Sequence, residues 1–171
     1  MAIESMRHII AVLLQNESGA LTRVAGLFSN RAYNIESLSV AATDDPTVSR
    51  ITLVTKGSDA VIQQIVNQLN KLIDVVSVDD MTLGEHLERE LVLLKLKVRP
   101  ENTDGIRGYV VRTGGRVLVP ALECFIVELT ASEAEINSFI GELAARAELL
   151  EVVRSGALGI GRSTRALHVV A

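Results

Sequence analysis

The order in which the hydrophobic period changes along the chain is the strongest constraint on its fold, and that order occurs twice. Residues 7–14 form an aliphatic run closed by Gln-Asn-Glu-Ser-Gly at 15–19, the pattern of a buried strand followed by a tight turn. Leu21, Val24, Ala25 and Phe28 then fall at i, i+3, i+4 and i+7, one face of a helix that frays out near Ala32. Residues 34–43 and 48–56 are period-two stretches rich in β-branched side chains, joined by Asp44-Asp45-Pro46 as a hairpin. Ile62, Ile65, Val66, Leu69 and Ile73 return to helical spacing, and residues 75–78 supply a fourth short strand. The order is βαββαβ.

Residues 83–90 are polar and acidic and read as a linker, after which the pattern repeats. Val92, Leu94, Leu96 and Val98 alternate along a strand that Arg99-Pro100-Glu101-Asn102 breaks. A helix at 103–112 is weakened by Gly105 and Gly108, each costing about 1 kcal/mol relative to Ala. Residues 117–119 and 124–130 form a second hairpin around Pro120. Ser132-Glu-Ala-Glu135 is a capping box ahead of Ile136, Phe139, Ile140, Leu143 and Ala147, and residues 149–153 return as a strand.

Two split βαβ patterns in tandem predict an α+β chain of two ferredoxin-like βαββαβ domains, each an antiparallel sheet with both helices on one face. The length of 171 residues suits this arrangement. A domain of about seventy residues with one apolar sheet face uncovered is marginal alone, so the chain is expected to pair with a second copy or a partner protein. Composition narrows the function. The chain is 48% hydrophobic with a mean hydropathy of +0.31, but its longest clean aliphatic run, residues 9–14, is far short of the roughly 20 residues a spanning helix needs. A formal net charge of -4 and five aromatic residues that form no stacking cluster argue against nucleic acid. Glu4 stands where a signal peptide carries its basic region, so a cytoplasmic location is expected. Cys124 is the single cysteine, and its apolar flanks predict a buried thiol.

Motifs for catalysis are not found. His8, His86 and His168 are scattered, and the acids near His86 (Glu85, Glu88, Glu90) lack the Cys or second His of a zinc site. No nucleophile elbow or Ser-x-x-Lys occurs. Gly156, Gly159 and Gly161 fail the Gly-x-Gly-x-x-Gly spacing of a dinucleotide loop, and the segment that follows reads as a flexible or partner-bound tail carrying Arg162 and Arg165. No catalytic residue, metal site or cofactor is assigned to this chain.

One loop has the chemistry of a receptor. Asn16-Glu17-Ser18-Gly19-Ala20 lies between the first strand and the first helix, so amides near Gly19 and Ala20 face outward at the positive end of a helix dipole, where carboxylates and phosphates bind. Gly19 permits close approach, and Asn16 and Asn34, at the ends of two segments that read as neighbouring strands, offer amides to an ammonium or a carboxylate. These groups suit a free amino acid. The alternative is purely structural: Asn16 and Ser18 cap the helix and Gly19 allows the turn.

Residues 9–14, Asn16-Glu17-Ser18-Gly19-Ala20-Leu21, Arg23-Val24, Gly26-Leu27-Phe28, Tyr33-Asn34-Ile35-Glu36-Ser37-Leu38 and Thr43-Asp44-Asp45-Pro46 closely resemble the small regulatory subunit of acetolactate synthase, also called acetohydroxyacid synthase. Glu88-Arg89-Glu90-Leu91 and Glu151-Val152-Val153-Arg154-Ser155-Gly156 extend the likeness through the second half. The resemblance implies an N-terminal ACT domain at 7–82 that binds an amino-acid effector, a linker at 83–90, and an ACT-like regulatory domain with its tail at 91–171. It further implies a homodimer through the ACT domains, with valine or another branched-chain amino acid held by Asn16, Gly19 and Ala20 of one chain and Asn34 of its neighbour. The partner it implies is a large catalytic subunit carrying thiamine diphosphate, magnesium and FAD. Two positions depart from the family pattern: Ala32 stands where a Gly is common before Tyr-Asn, at a helix exit that favours a left-handed conformation, and Pro120 stands where an acid is more usual. Two other classes remain compatible with the residues, a ligand-responsive module serving another enzyme or a transcription regulator, and a small enzyme on the same scaffold.

Overall fold

Strand β1 (Met6–Gln15) lies inside a four-stranded sheet of order β2-β3-β1-β4, with β2 (Ile35–Ala42), β3 (Val48–Gly57) and β4 (Val75–Asp80). All three ladders are antiparallel. The computed structural model describes residues 6–163 and Leu167. An interior strand covered on both faces has no polar side, which is why residues 9–14 show no alternation. On one face Ile10, Val12, Leu14, Ile51 and Leu53 meet α1 (Ala20–Asn30) and α2 (Asp59–Leu69) through Val24, Leu27, Phe28, Ile62, Ile65 and Leu69. On the other face Ile9, Ala11 and Val54 pack against Met81 and Ala157.

The second unit repeats the plan. β5 (His86–Lys97), α3 (Thr103–Arg112), β6 (Arg116–Ala121), β7 (Cys124–Ala131), α4 (Glu133–Ala144) and β8 (Glu148–Arg154) build a sheet of order β6-β7-β5-β8. Its core joins Val92, Leu94 and Leu96 to Phe125, Val127, Ile136, Phe139 and Leu143. The α3 helix forms despite Gly105 and Gly108 because Ile106 and Val110 are fully buried in that core, and tertiary packing outweighs propensity. The capping box of α4 is complete: Ser132 accepts from the Glu135 amide, and Glu135 accepts from the Ser132 amide at 2.9 Å. Both units thus have the βαββαβ, α+β, ferredoxin-like architecture.

Four details differ from the sequence reading. Residues 83–90 are not a free linker: a 3-10 turn covers Met81–Leu83, with Asp80 accepting from the Thr82 amide at 3.1 Å, and β5 has begun by His86. The turn of the second hairpin lies at Leu122-Glu123, since Ala121 pairs with Cys124, and Pro120 sits within β6, an edge strand that tolerates a missing N–H. Cys124 is half-buried, because it opens β7 beside that turn while its neighbour Phe125 points into the core.

The fourth concerns the glycine-rich tail. One compact unit is Glu88–Gly156, and residues 157–163 group with the first unit, where β9 (Leu158–Gly161) forms. A Cβ on Gly159 would lie 2.4 Å from Met81 Cε and 2.9 Å from Ile9 Cδ1, so the glycine serves close packing and not a ligand loop. The chain itself covers part of the sheet face that was expected to need a partner. Arg165 and His168 lie outside the described residues. Among the described residues, no helix is long and apolar enough to cross a membrane.

Candidate functional site

The connection from β1 to α1 is anchored at both ends. The Asn16 amide donates to Thr47 O at 2.7 Å and its Nδ2 donates to Pro46 O at 3.0 Å, tying the loop to the turn between β2 and β3. That turn is itself rigid: Asp45 Oδ1 accepts from the Thr47 amide at 2.9 Å and from its hydroxyl at 2.7 Å, bonds that hold the Asp45 carboxyl below the usual carboxylate range. With one N–H of Nδ2 bonded to Pro46 O, the side chain is held in place, and its Oδ1 suits an ammonium.

Gly19 is the N-cap of α1 and takes a left-handed conformation at φ 88° and ψ -12°. As a glycine it has no side chain with which to cap the helix, and its left-handed conformation makes the turn that the structural alternative called for. The Ala20 N–H bonds Glu17 O at 3.2 Å, and the positive end of the α1 dipole falls at this turn. The Ala20 methyl is buried in the first core, so this residue contributes backbone alone.

Asn34 lies elsewhere. β1 and β2 are not neighbours, because β3 runs between them. Gln15 pairs with Val48, whereas Ile35 pairs with Thr55, whose hydroxyl donates to Asn34 O at 2.6 Å. Asn16 and Asn34 thus sit at opposite ends of the sheet, separated by β3 from Val48 to Thr55, roughly 24 Å at about 3.4 Å per residue. One chain brings Asn16, Gly19 and Ala20 together and leaves Asn34 out. The departure at Ala32 keeps the left-handed exit: its φ is 55°, the one positive value outside glycine among the described residues.

Sequence reasoning gave no role to a pair that shapes this loop. Arg23 Nε donates to Asp74 Oδ2 and Nη2 donates to Asp74 Oδ1 at 2.8 Å. Asp74 is 4% exposed, and its carbonyl also accepts from the Gln15 amide at 2.8 Å. The bond to Arg23 holds the Asp74 carboxyl below its ordinary range against the opposing effect of desolvation, and Asp74 in turn raises Arg23. The available signal was an acid set in the apolar stretch Leu72-Ile73-Asp74-Val75-Val76, a place where a carboxylate needs a partner.

Elsewhere the titratable groups serve structure. His8 is buried with Nδ1 3.3 Å from Asp80 Oδ2, and Glu90 receives Arg154 Nε at 3.0 Å and Nη2 at 2.6 Å. No group of three or more His, Cys, Asp or Glu is placed to hold a metal among the described residues.

Comparison with known proteins identifies the family. Residues 10–77 match the model for the acetohydroxyacid synthase small subunit-like ACT domain, and residues 89–163 match that for the small subunit of acetolactate synthase. The acetolactate synthase isozyme 3 small subunit of Escherichia coli (strain K12) is 41% identical over 163 residues, covering 95% of this chain and 100% of that protein. The small subunit of Haemophilus influenzae is 42% identical over 160 residues, covering 94% and 98%. The crystal structure of the Thermotoga maritima acetolactate synthase small subunit superposes with a TM-score of 0.84 at 29% identity, over 94% of this chain and 99% of that one. The chain belongs to the acetolactate synthase small-subunit family, a family of regulatory subunits, and is built on an N-terminal ACT domain.

Proposed function

We propose that this chain confers feedback inhibition by valine on a large acetolactate synthase subunit, which it also activates. The reading rests above all on the uncapped start of α1 at Gly19, a left-handed glycine whose dipole and neighbouring amides suit a carboxylate. The α-carboxylate of valine docks over Gly19 and Ala20, its ammonium meets Asn16 Oδ1, and Asn34 comes from a second protomer. The separation of Asn34 from the loop within one chain supports a shared site.

The second protomer joins at β2. This strand is a sheet edge, and Leu38 and Val40 on it are exposed, 37% and 42%, although their partners Leu53 and Ile51 are buried. Pairing two such edges satisfies the backbone and covers the apolar side chains. The amino-acid-sensing ACT domain comprises residues 7–82, and β9 completes its packing. Thiamine diphosphate, magnesium and FAD belong to the large catalytic subunit, in a cytoplasmic assembly that makes acetolactate for branched-chain amino acids. Binding of valine at micromolar concentration is about -8 kcal/mol, of which about 1 to 3 kcal/mol needs to differ between active and inhibited assemblies to regulate.

The test is acetolactate formation by the large subunit mixed with this chain, with and without valine. Gly19→Asp places a carboxylate where the ligand's own would dock, so activation persists and valine inhibition is lost. Full valine sensitivity in that variant would remove the site, and no effect of the chain on the large subunit would remove the function.

A further inference from the structure

The candidate loop has a guanidinium standing over it. A Cβ placed on Gly19 would lie 3.2 Å from Arg23 Nη1 and 3.8 Å from Arg23 Cζ, so the third nitrogen of this guanidinium occupies the space beside the Gly19 backbone. The other two are engaged by Asp74. A guanidinium held by two bonds to one carboxylate loses its rotational freedom, and the remaining N–H groups keep a fixed direction. The anchor is stiff as well. Asp74 is buried, and through its carbonyl it also holds Gln15 at the end of β1, so one residue fixes the loop's entry at Gln15 and, through Arg23, its exit.

We propose that Arg23 is a further effector-binding residue, its Nη1 donating to the α-carboxylate of the amino acid held over Gly19, with Asp74 as the positioning residue that aims it. The inference rests on the reading of Gly19 as the effector site and extends it. The carboxylate is received from two sides, by the positive end of the α1 dipole and by a fixed cation. A neutral amide in its place keeps the first and loses the charge assistance of the second. The arrangement also explains why a side chain on Gly19 would be disruptive beyond its conformational strain, because its Cβ would meet Arg23 Nη1 at 3.2 Å and press on the guanidinium.

The experiment is calorimetric titration of the full chain with L-valine and L-valinamide. The ratio of the two affinities isolates the contact to the carboxylate. The unaltered chain is expected to prefer valine; Arg23→Gln weakens valine at least tenfold and leaves valinamide unchanged. Arg23→Lys, which keeps the charge but not the fork, gives an intermediate ratio and decides the matter should the Gln variant fail to fold. Asp74→Asn lowers the ratio in the same direction. An unchanged ratio, or equal losses for both ligands, overturns the proposal, the latter marking a merely structural pair. Valine binding that Gly19→Asp abolishes while Arg23→Gln leaves it intact would remove Arg23 and keep the site. Failure of the unaltered chain to bind valine, leucine or isoleucine would remove both.

Discussion

Arg50 Nη2 on β3 donates to the carbonyl oxygen of Gly159 on β9 at 2.9 Å, joining residues 109 positions apart in sequence. Burial lowers the Arg50 pKa, an effect that Asp79 opposes. Next to this bond, Ala157 donates its N–H to Ser37 Oγ at 3.4 Å and packs with Ile9, Ala11 and Val54. The first sheet is therefore covered on part of its second face by a segment that follows the second unit in sequence. A glycine-rich segment in which Leu158 and Ile160 alternate with glycines becomes a structural strand because a bare backbone at Gly159 fits where a side chain does not.

That fit predicts the response to Gly159→Val. A branched side chain would collide with Ile9 Cδ1 as well as the movable end of Met81, and overpacking of this kind costs about 1 to 3 kcal/mol. The midpoint of urea unfolding should fall with an unchanged slope. Gly159→Ala, which asks mainly Met81 Cε to move, should cost about 1 kcal/mol or less. Equal stability of the Val variant and the parent would show that β9 does not pack on this face.

The helix exit at Ala32 predicts a gain. Its φ of 55° costs an L-residue with a Cβ about 1 to 2 kcal/mol, while glycine there adds about 0.4 to 1 kcal/mol of unfolded-chain entropy. Ala32→Gly should therefore stabilise by up to about 1 kcal/mol. For a chain of this size that raises the midpoint of thermal unfolding by about 2 to 4 °C. A fall in the midpoint would mean that the left-handed turn carries no strain.

What the sequence made legible was set by local periodicity. Val24, Leu27 and Phe28, or Ile136, Phe139 and Leu143, declare a helix face without reference to the rest of the chain, and the Ser132–Glu135 box is complete within four residues. Strand order is different in kind. Nothing in residues 34–43 says that β3 will separate β2 from β1, so the reading of these two segments as neighbouring strands is replaced by an order in which Asn16 and Asn34 lie apart within one chain. Arg23 and Asp74 are 51 residues apart, and neither motif names the other. Their pairing is visible only once α1 and the α2–β4 connection are packed on the same sheet end. The β9 strand was hidden for a related reason: Leu158 and Ile160 are exposed, so it has no buried face to announce it.

The cap of α4 gives a local test in the second unit. Ser132→Ala removes the acceptor for the Glu135 amide, and loss of such a cap costs about 1 kcal/mol. Urea unfolding should register this, and hydrogen exchange should quicken in the first turn of α4. No change in either would mean that the reciprocal bonds add nothing to the burial of Ile136 and Phe139.

Acid unfolding follows from the carboxyls whose folded pKa values are depressed. Asp74 is lowered first by its bond to Arg23, Glu135 by its bond to Ser132, and Asp45 by its bond to Thr47. A carboxyl with a depressed folded pKa binds fewer protons in the native state than in the unfolded one near and below its ordinary value, about 4. Its contribution to stability is therefore complete above that value and drains away as the pH falls through the depressed one. Stability measured by urea unfolding should be level above about pH 5 and fall steadily below about pH 4. Asp74→Asn removes one of these groups, so it should lower stability at pH 7 and fall less steeply below pH 4, its curve approaching the parent's as the pH drops. Parallel curves for the two proteins would show that Asp74 titrates alike in the folded and unfolded chain and that its bonds to Arg23 do not depress its pKa.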